Sequence, residues 1–384
     1  MSAIKNRFDL ESNQPQLRDL NEILAEKDRD VLEMAGIDLE EKERSATYMH
    51  VNHGQVKCQS KQKGLEILDI NQALLKYNGL KEYFWQAISP DKDDYTRLAS
   101  EKIHGGYFIR VAKGVKIKEP VQTCLFIKNE NIGQSVHSIV VVEEDAEVHI
   151  ITGCATAHGV ESALHLGVSE FYLKKNAKLT FTMIHNWGPK VEVRPRTAGI
   201  LEERAEFQSN YILLKSVKSV QSCPVVYLNG QGAVARFNSI LVGLPGSYIN
   251  TGSKVILNAP ETRAEIISRA ITTGGEIIAP GFIEANSVPA RGHLECKGLI
   301  LNDGIIHAIP ELRASKAGVE LSHEAAVGKI AQEEIEYLMA RGLDEEEATS
   351  TIVRGFMNVD IMGLPPKLRQ SIDKIISDTE KDMF

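Results

Sequence analysis

The middle of this chain repeats itself. An alanine followed by a charged and then an apolar residue recurs in EEDAEVHI (Ala146), KKNAKLTF (Ala177), EERAEFQS (Ala205), AVARFNS (Ala235) and ETRAEIIS (Ala264). The successive steps are 31, 28, 30 and 29 residues. A near-constant period of this size marks stacked supersecondary units, each too small to bury its own apolar face. β-Branched runs at 139–142, 255–257 and 266–267 accompany the repeat, with no amphipathic helices between them. That pattern disfavours alternating βαβ units and predicts a mainly β chain built as a β-solenoid. An antiparallel β-sandwich is the other architecture compatible with these strand signals.

The flanks differ in kind. Residues 1–45 carry Leu17, Leu20, Leu24, Val31 and Met34 at helical spacing with few β-branched residues. Residues 46–105 read as mixed, with helices expected near 71–77 and 93–98. After Leu321 the pattern turns helical: Ile330, Ile335, Leu338 and Met339 share a face, Gly342 suits a left-handed stop, and Asp344 with Glu347 suits a capped restart. Pro365 and Pro366 would open a last amphipathic helix bearing Leu368, Ile372, Ile375 and Ile376. The expected organisation is a helical or mixed region at 1–105, a solenoid core at 106–321 and a helical domain at 322–384.

Charge and cysteine usage narrow the function. A formal net charge of −8 and a pI near 5.8 argue against a nucleic-acid surface, which needs clustered cations. The acidic first thirty residues hold no apolar signal core, and no apolar run approaches 18 residues, so a cytoplasmic protein without a membrane segment is expected. Five cysteines (58, 124, 154, 223, 296) with no CxxC pair suggest reduced thiols and no resident ferredoxin-like site. Cys124 and Cys154 lie about one period apart and could meet as a thiol pair on adjacent coils. The chain lacks a G-x-x-x-x-G-K-[ST] phosphate loop, so any ATP chemistry must come from a partner.

The last quarter is the most specific. Cys296 in ECKGLILNDG is followed 27 residues later by His323 and Glu324 in SHEAAVGKIAQEEIEYLMARGLDEEEA. This segment resembles the SufB/SufD family of iron–sulfur cluster assembly scaffolds, and the likeness extends over residues 105–358. The resemblance implies a right-handed parallel β-helix and a non-enzymatic scaffold that assembles and transfers an iron–sulfur cluster, [4Fe–4S] in type. It implies Cys296 as the cluster-building thiol, with His323 and Glu324 as supplementary ligands at the mouth of a helix. His293 and Glu295 are weaker ligand candidates, and strand alternation should turn them away from Cys296 and Leu294. The context VHIITGCATAHG around Cys154 resembles the family's sulfur-accepting stretch, and MIHNWGP resembles its polar route. His185, Asn186, Trp187 and Arg196 are thereby route candidates, with His185 standing where the family more often has glutamine.

The same resemblance implies partners: an ABC-type ATPase of the SufC kind docking on residues 323–358, a sulfur donor, and apo-acceptor proteins. One cluster-type cysteine per chain further suggests a homodimer, with a heterodimer as the competing arrangement. A SufD-like subunit that stabilises the complex without building clusters is the alternative within the family. A carbohydrate-active solenoid is the rival outside it.

Overall fold

A computed structural model describes residues 6–11 and 23–357. The chain is mainly β and winds into a β-solenoid of about eight turns. One wall of the coil is a ten-stranded sheet, entered at Gly54–Ser60 and Ala46–Val51. It continues through Val121–Ile127, Glu147–Thr156, Lys178–Asn186, Glu206–Leu213, Val234–Gly243 and Thr262–Thr272. It ends at Ala290–Ile300 and Val319–Gly328. The facing wall alternates with it along the chain and finishes at Ile305–Ala314. Pairing between successive coils is parallel, which excludes the antiparallel sandwich. The antiparallel pairs are Ala46–Val51 with Gly54–Ser60 and Leu65–Asp69 with Tyr107–Val111, both at the amino-terminal end of the stack.

The repeat read from the sequence has a local cause. At each corner one residue takes the left-handed conformation: Asp145, Asn176, Arg204, Gly232 and Glu261, with φ of 59°, 56°, 52°, 72° and 61°. A small buried residue follows immediately: Ala146, Ala177, Ala205, Ala233 and Thr262, all with 0% exposure. The strand then restarts in register through Glu147, Lys178, Glu206, Val234 and Arg263. Ala235 and Ala264 therefore sit two residues beyond these small buried residues, in the column of Phe207 rather than that of Ala205. Because a strand returns to the same face every second residue, a slip of two leaves the inward pattern intact.

The described helices lie outside the coil. Helix α1 (Glu26–Met34) packs Leu32, with Ala35 and Ile37 just after it, on the outer face near Cys124 and Ala155. Helices α2 (Ile70–Lys76) and α3 (Asp94–Glu101) fall where the sequence placed them, and the Asp93 carboxylate caps α3 through the amides of Tyr95 and Thr96. Strands at 46–51, 54–60 and 65–69 already belong to the two walls, so the coil begins well before residue 106. At the other end, Val319–Gly328 is a strand paired along Ala290–Ile300. His323 and Glu324 are therefore mid-strand residues, not residues at the mouth of a helix. The helices α4 (Gln332–Met339) and α5 (Glu345–Met357) follow. The expected helix after Pro365 and the apolar positions Leu17 and Leu20 lie outside the described residues.

Candidate functional site

Strand alternation divides the residues around Cys296 into two groups. In Ala290–Ile300, Leu294 and Cys296 point into the coil and are buried, while His293, Glu295 and Lys297 point outward. Cys296 stands in register with Ser268 on one side and Ala325 on the other. Leu294 is paired with His323, so His323 shares the face of Cys296 on the adjacent, last strand. With strands about 4.8 Å apart and about 3.3 Å per residue, their Cα atoms are separated by about 8 Å.

Glu324 falls on the opposite face, in register with Glu295. There Lys297 Nζ lies 3.0 Å from Glu324 Oε1 and 3.4 Å from Glu295 Oε1, and Arg269 also pairs with Glu295. Burial works against the charge of Glu295, but these two cations outweigh it and hold its pKa below the usual carboxylate value. His293 Nδ1 lies 2.9 Å from the Ser322 hydroxyl on this outer face. The five candidates thus separate into an inner pair, Cys296 and His323, and an outer polar set, His293, Glu295 and Glu324. Burial pushes the Cys296 thiol up to about 11, with Glu295 adding to the shift and Arg269 opposing it.

Behind Cys296 the lumen is not fully packed. A cavity of about 50 Å³, room for roughly three or four water-sized molecules, runs inside the coil. One wall is a single in-register column, Met183, Tyr211, Ser239, Ser268 and Cys296. Ser239 Oγ donates to Ser268 Oγ at 3.0 Å. The sequence reading missed Tyr211, Ser239 and Ser268, although their positions are spaced by 28 and 29 residues and Ser268 is 28 from Cys296. The period contained the signal, but choosing which residue of each coil shares the column required the register.

Two residues along the strands from that column lies the second thiol. Cys154 is in register with His185 on the next strand, and both point inward. The Tyr211 hydroxyl and His185 Nδ1 are 2.8 Å apart. The Trp187 ring stands edge-on to His185, centroids 5.4 Å apart, and 5.1 Å from His165. Burial, and then the neighbouring Cys124, raise the Cys154 pKa well above the usual thiol value; burial, and then His165, depress His185 well below the usual imidazole value. At neutral pH the site therefore holds a neutral thiol beside a neutral imidazole.

The other route candidates are elsewhere. Asn186 turns outward and donates to the Val31 carbonyl at 3.0 Å, tying α1 to the coil. Arg196 lies on the outer face of the facing wall, where Nε donates to Asp93 at 2.6 Å and Nη1 to the Gln221 carbonyl at 2.9 Å. Cys124 is in register with Gly153 and faces α1, so it and Cys154 occupy opposite faces and form no thiol pair. Among the described residues, no three His, Cys, Asp or Glu side chains are grouped to hold a metal ion. No described helix is long and apolar enough to cross a membrane.

A family model described as "SUF system FeS cluster assembly, SufBD core domain" matches residues 125–356, from the strand before Cys154 to the end of α5. The chain belongs to the SufBD family. An iron–sulfur cluster assembly SufBD family protein of Archaeoglobus fulgidus is 48% identical over 93% of this chain and 96% of its own length. A SufBD family protein of Methanothermobacter thermautotrophicus is 46% identical, covering 93% of this chain and 88% of its own. The iron–sulfur cluster assembly protein SufB of Bacillus subtilis is 32% identical over 82% of this chain and 68% of its own. Iron–sulfur cluster assembly is the process this family serves, and the SufBD core match contains Cys154, Cys296 and His323.

Proposed function

We propose that this chain is the cluster-building scaffold of a SUF system, receiving iron and sulfur at Cys296 and passing the finished cluster to apo-acceptor proteins. The observation that carries the reading is the shared inner face of Cys296 and His323 on the last two described strands of one wall, with a cavity leading to the thiol. Iron binds thiolate strongly and imidazole as a supplementary ligand. Here the cluster is cargo, built and handed on, and its type is [4Fe–4S]. Glu324 joins the ligand set only after release from Lys297.

Two inner ligands per chain do not complete a cluster, and the end of the coil offers a place for a second set. Ile305, Ile309 and Val327 are 51%, 48% and 41% exposed, and neither Ile305–Ala314 nor Val319–Gly328 has a further described strand beyond it. An apolar end with free strand edges is a template for association. A homodimer across this end brings two copies of Cys296 and His323 to one two-fold axis. Cys154, five strand steps or roughly 24 Å from Cys296, accepts sulfur from a donor, and the lumen carries it onward.

The carboxy-terminal helices are the docking module for a SufC-like ATPase in the cytoplasm. The partner hydrolyses ATP, and this chain turns over no substrate of its own. Supporting this, α5 seats Val353, Phe356 and Met357 on the outer face beside Ile271 and Leu299, so a pull on α5 reaches the strand of Cys296. The first turns of α4 and α5 are acidic, offering Glu333, Glu334 and Glu345–Glu347 to a basic partner surface.

The test is chemical analysis of iron and acid-labile sulfide in wild type and Cys296→Ser, each purified anaerobically with its ATPase. The scaffold reading predicts both elements in the wild type and near-complete loss in an intact variant complex. Equal contents would refute it and favour a SufD-like stabilising subunit.

A further inference from the structure

Trp187 is 95% buried in the same interior cluster as Cys154, yet its indole Nε1–H has no hydrogen-bond partner. Buried donors are rarely left unpaired, because burial removes the water that would otherwise satisfy them. Filling the corner needs only the apolar body of the ring, which a phenylalanine would supply. The orphaned N–H therefore asks for an acceptor that arrives.

We propose that Trp187 Nε1–H is the donor that holds the outer sulfur of a Cys154 persulfide, with His185 taking up its proton. The inference rests on the reading of Cys154 as a sulfur acceptor and goes beyond it by assigning the groups that receive the charge. Loading follows Cys154–SH + R–S–SH → Cys154–S–SH + R–SH. The Sγ–S bond forms, the donor's S–S bond breaks, the electron pair leaves with the donor sulfur, and no net oxidation occurs.

The added sulfur stands about 2 Å beyond Sγ, extending the side chain into the group formed by His185, Trp187 and Tyr211. A persulfide is a stronger acid than its parent thiol, so loading introduces an anion where a neutral thiol had been. His185 is the strand neighbour of Cys154, and Tyr211 bonds its Nδ1. The proposal requires the tautomer in which Nδ1–H donates to the Tyr211 hydroxyl, 2.8 Å away, so that Nε2 is the base that receives the persulfide proton.

The chain has two tryptophans, Trp85 and Trp187, so indole-¹⁵N labelling gives two resolvable signals. The experiment treats full-length protein with inorganic polysulfide and measures added sulfur on the Cys154 peptide by mass spectrometry. Indole ¹H–¹⁵N spectra are recorded in parallel on wild type and Cys154→Ser. The expected result is sulfur on Cys154 with a downfield shift of the Trp187 indole proton, an unmoved Trp85, and no shift in Cys154→Ser. In Trp187→Phe, occupancy at equal polysulfide should fall about tenfold, the equivalent of one charge-assisted hydrogen bond. Sulfur on Cys154 with an unmoved Trp187 signal would overturn the assignment and leave the sulfur-acceptor reading standing. No added sulfur on Cys154 would overturn both. The wild-type spectra decide the matter even if Trp187→Phe fails to fold.

Discussion

Buried and half-buried neutral histidines occupy the amino-terminal half of the fold, and their chemistry sets a pH limit on it. Burial, with smaller contributions from neighbouring histidines, holds His50 at about 3 and His104 at about 4; burial alone accounts for His165 at about 3, and burial with Arg44 for His149 at about 4. In the unfolded chain each would titrate near 6.5. Between those values the unfolded state binds more protons, so stability is full above pH 6.5 and is lost progressively as pH falls toward 4 and 3. The expected outcome is a thermal midpoint that falls steeply from pH 7 to pH 5, with His165→Gln flattening part of that slope. A midpoint flat across this range would show that these imidazoles are not buried neutral groups.

Among the elements, the corner explains both what the sequence disclosed and what it concealed. Asp and Asn tolerate the left-handed conformation, and Gly adopts it freely, so Asp145, Asn176 and Gly232 are at ease there. Glu261, at φ 61°, carries a strain that glycine would remove. Glu261→Gly should therefore stabilise the protein by about 1 kcal/mol, read as a higher denaturant midpoint, whereas Gly232→Ala should do the reverse. The period itself was legible because every coil restarts after such a corner. Its phase at Ala235 and Ala264 was not, since a two-residue slip preserves every inward side chain. The strand at Val319–Gly328 was hidden for a different reason. SHEAAVGKI is rich in helix formers, and pairing along Ala290–Ile300 overrides that local preference. The misread element also joined His323 to Glu324 as one unit, whereas a strand sends them to opposite faces.

For the whole molecule, the two ends of the coil differ among the described residues. The amino-terminal end is covered by antiparallel strands, whereas the last described strands leave Ile305, Ile309 and Val327 exposed. For the proposed homodimer across this end, Ile309→Asp should yield a monomer in sedimentation velocity and lower cluster content with it, while leaving the thermal midpoint nearly unchanged. A dimer persisting in that variant would place the association surface elsewhere. Cys296 stood out in the sequence through a resemblance, but the column from Tyr211 to Cys296 and the inner face that Cys296 and His323 share on adjacent strands emerge only from register.

In the proposed function, iron is held on the inner face shared by Cys296 and His323. The direct measurement is the ⁵⁷Fe Mössbauer spectrum of the anaerobically assembled complex, compared among wild type, His323→Ala and His293→Ala. The expected wild-type spectrum contains an iron site of distinct, non-thiolate isomer shift that disappears in His323→Ala and survives in His293→Ala. Identical spectra from wild type and His323→Ala would contradict it.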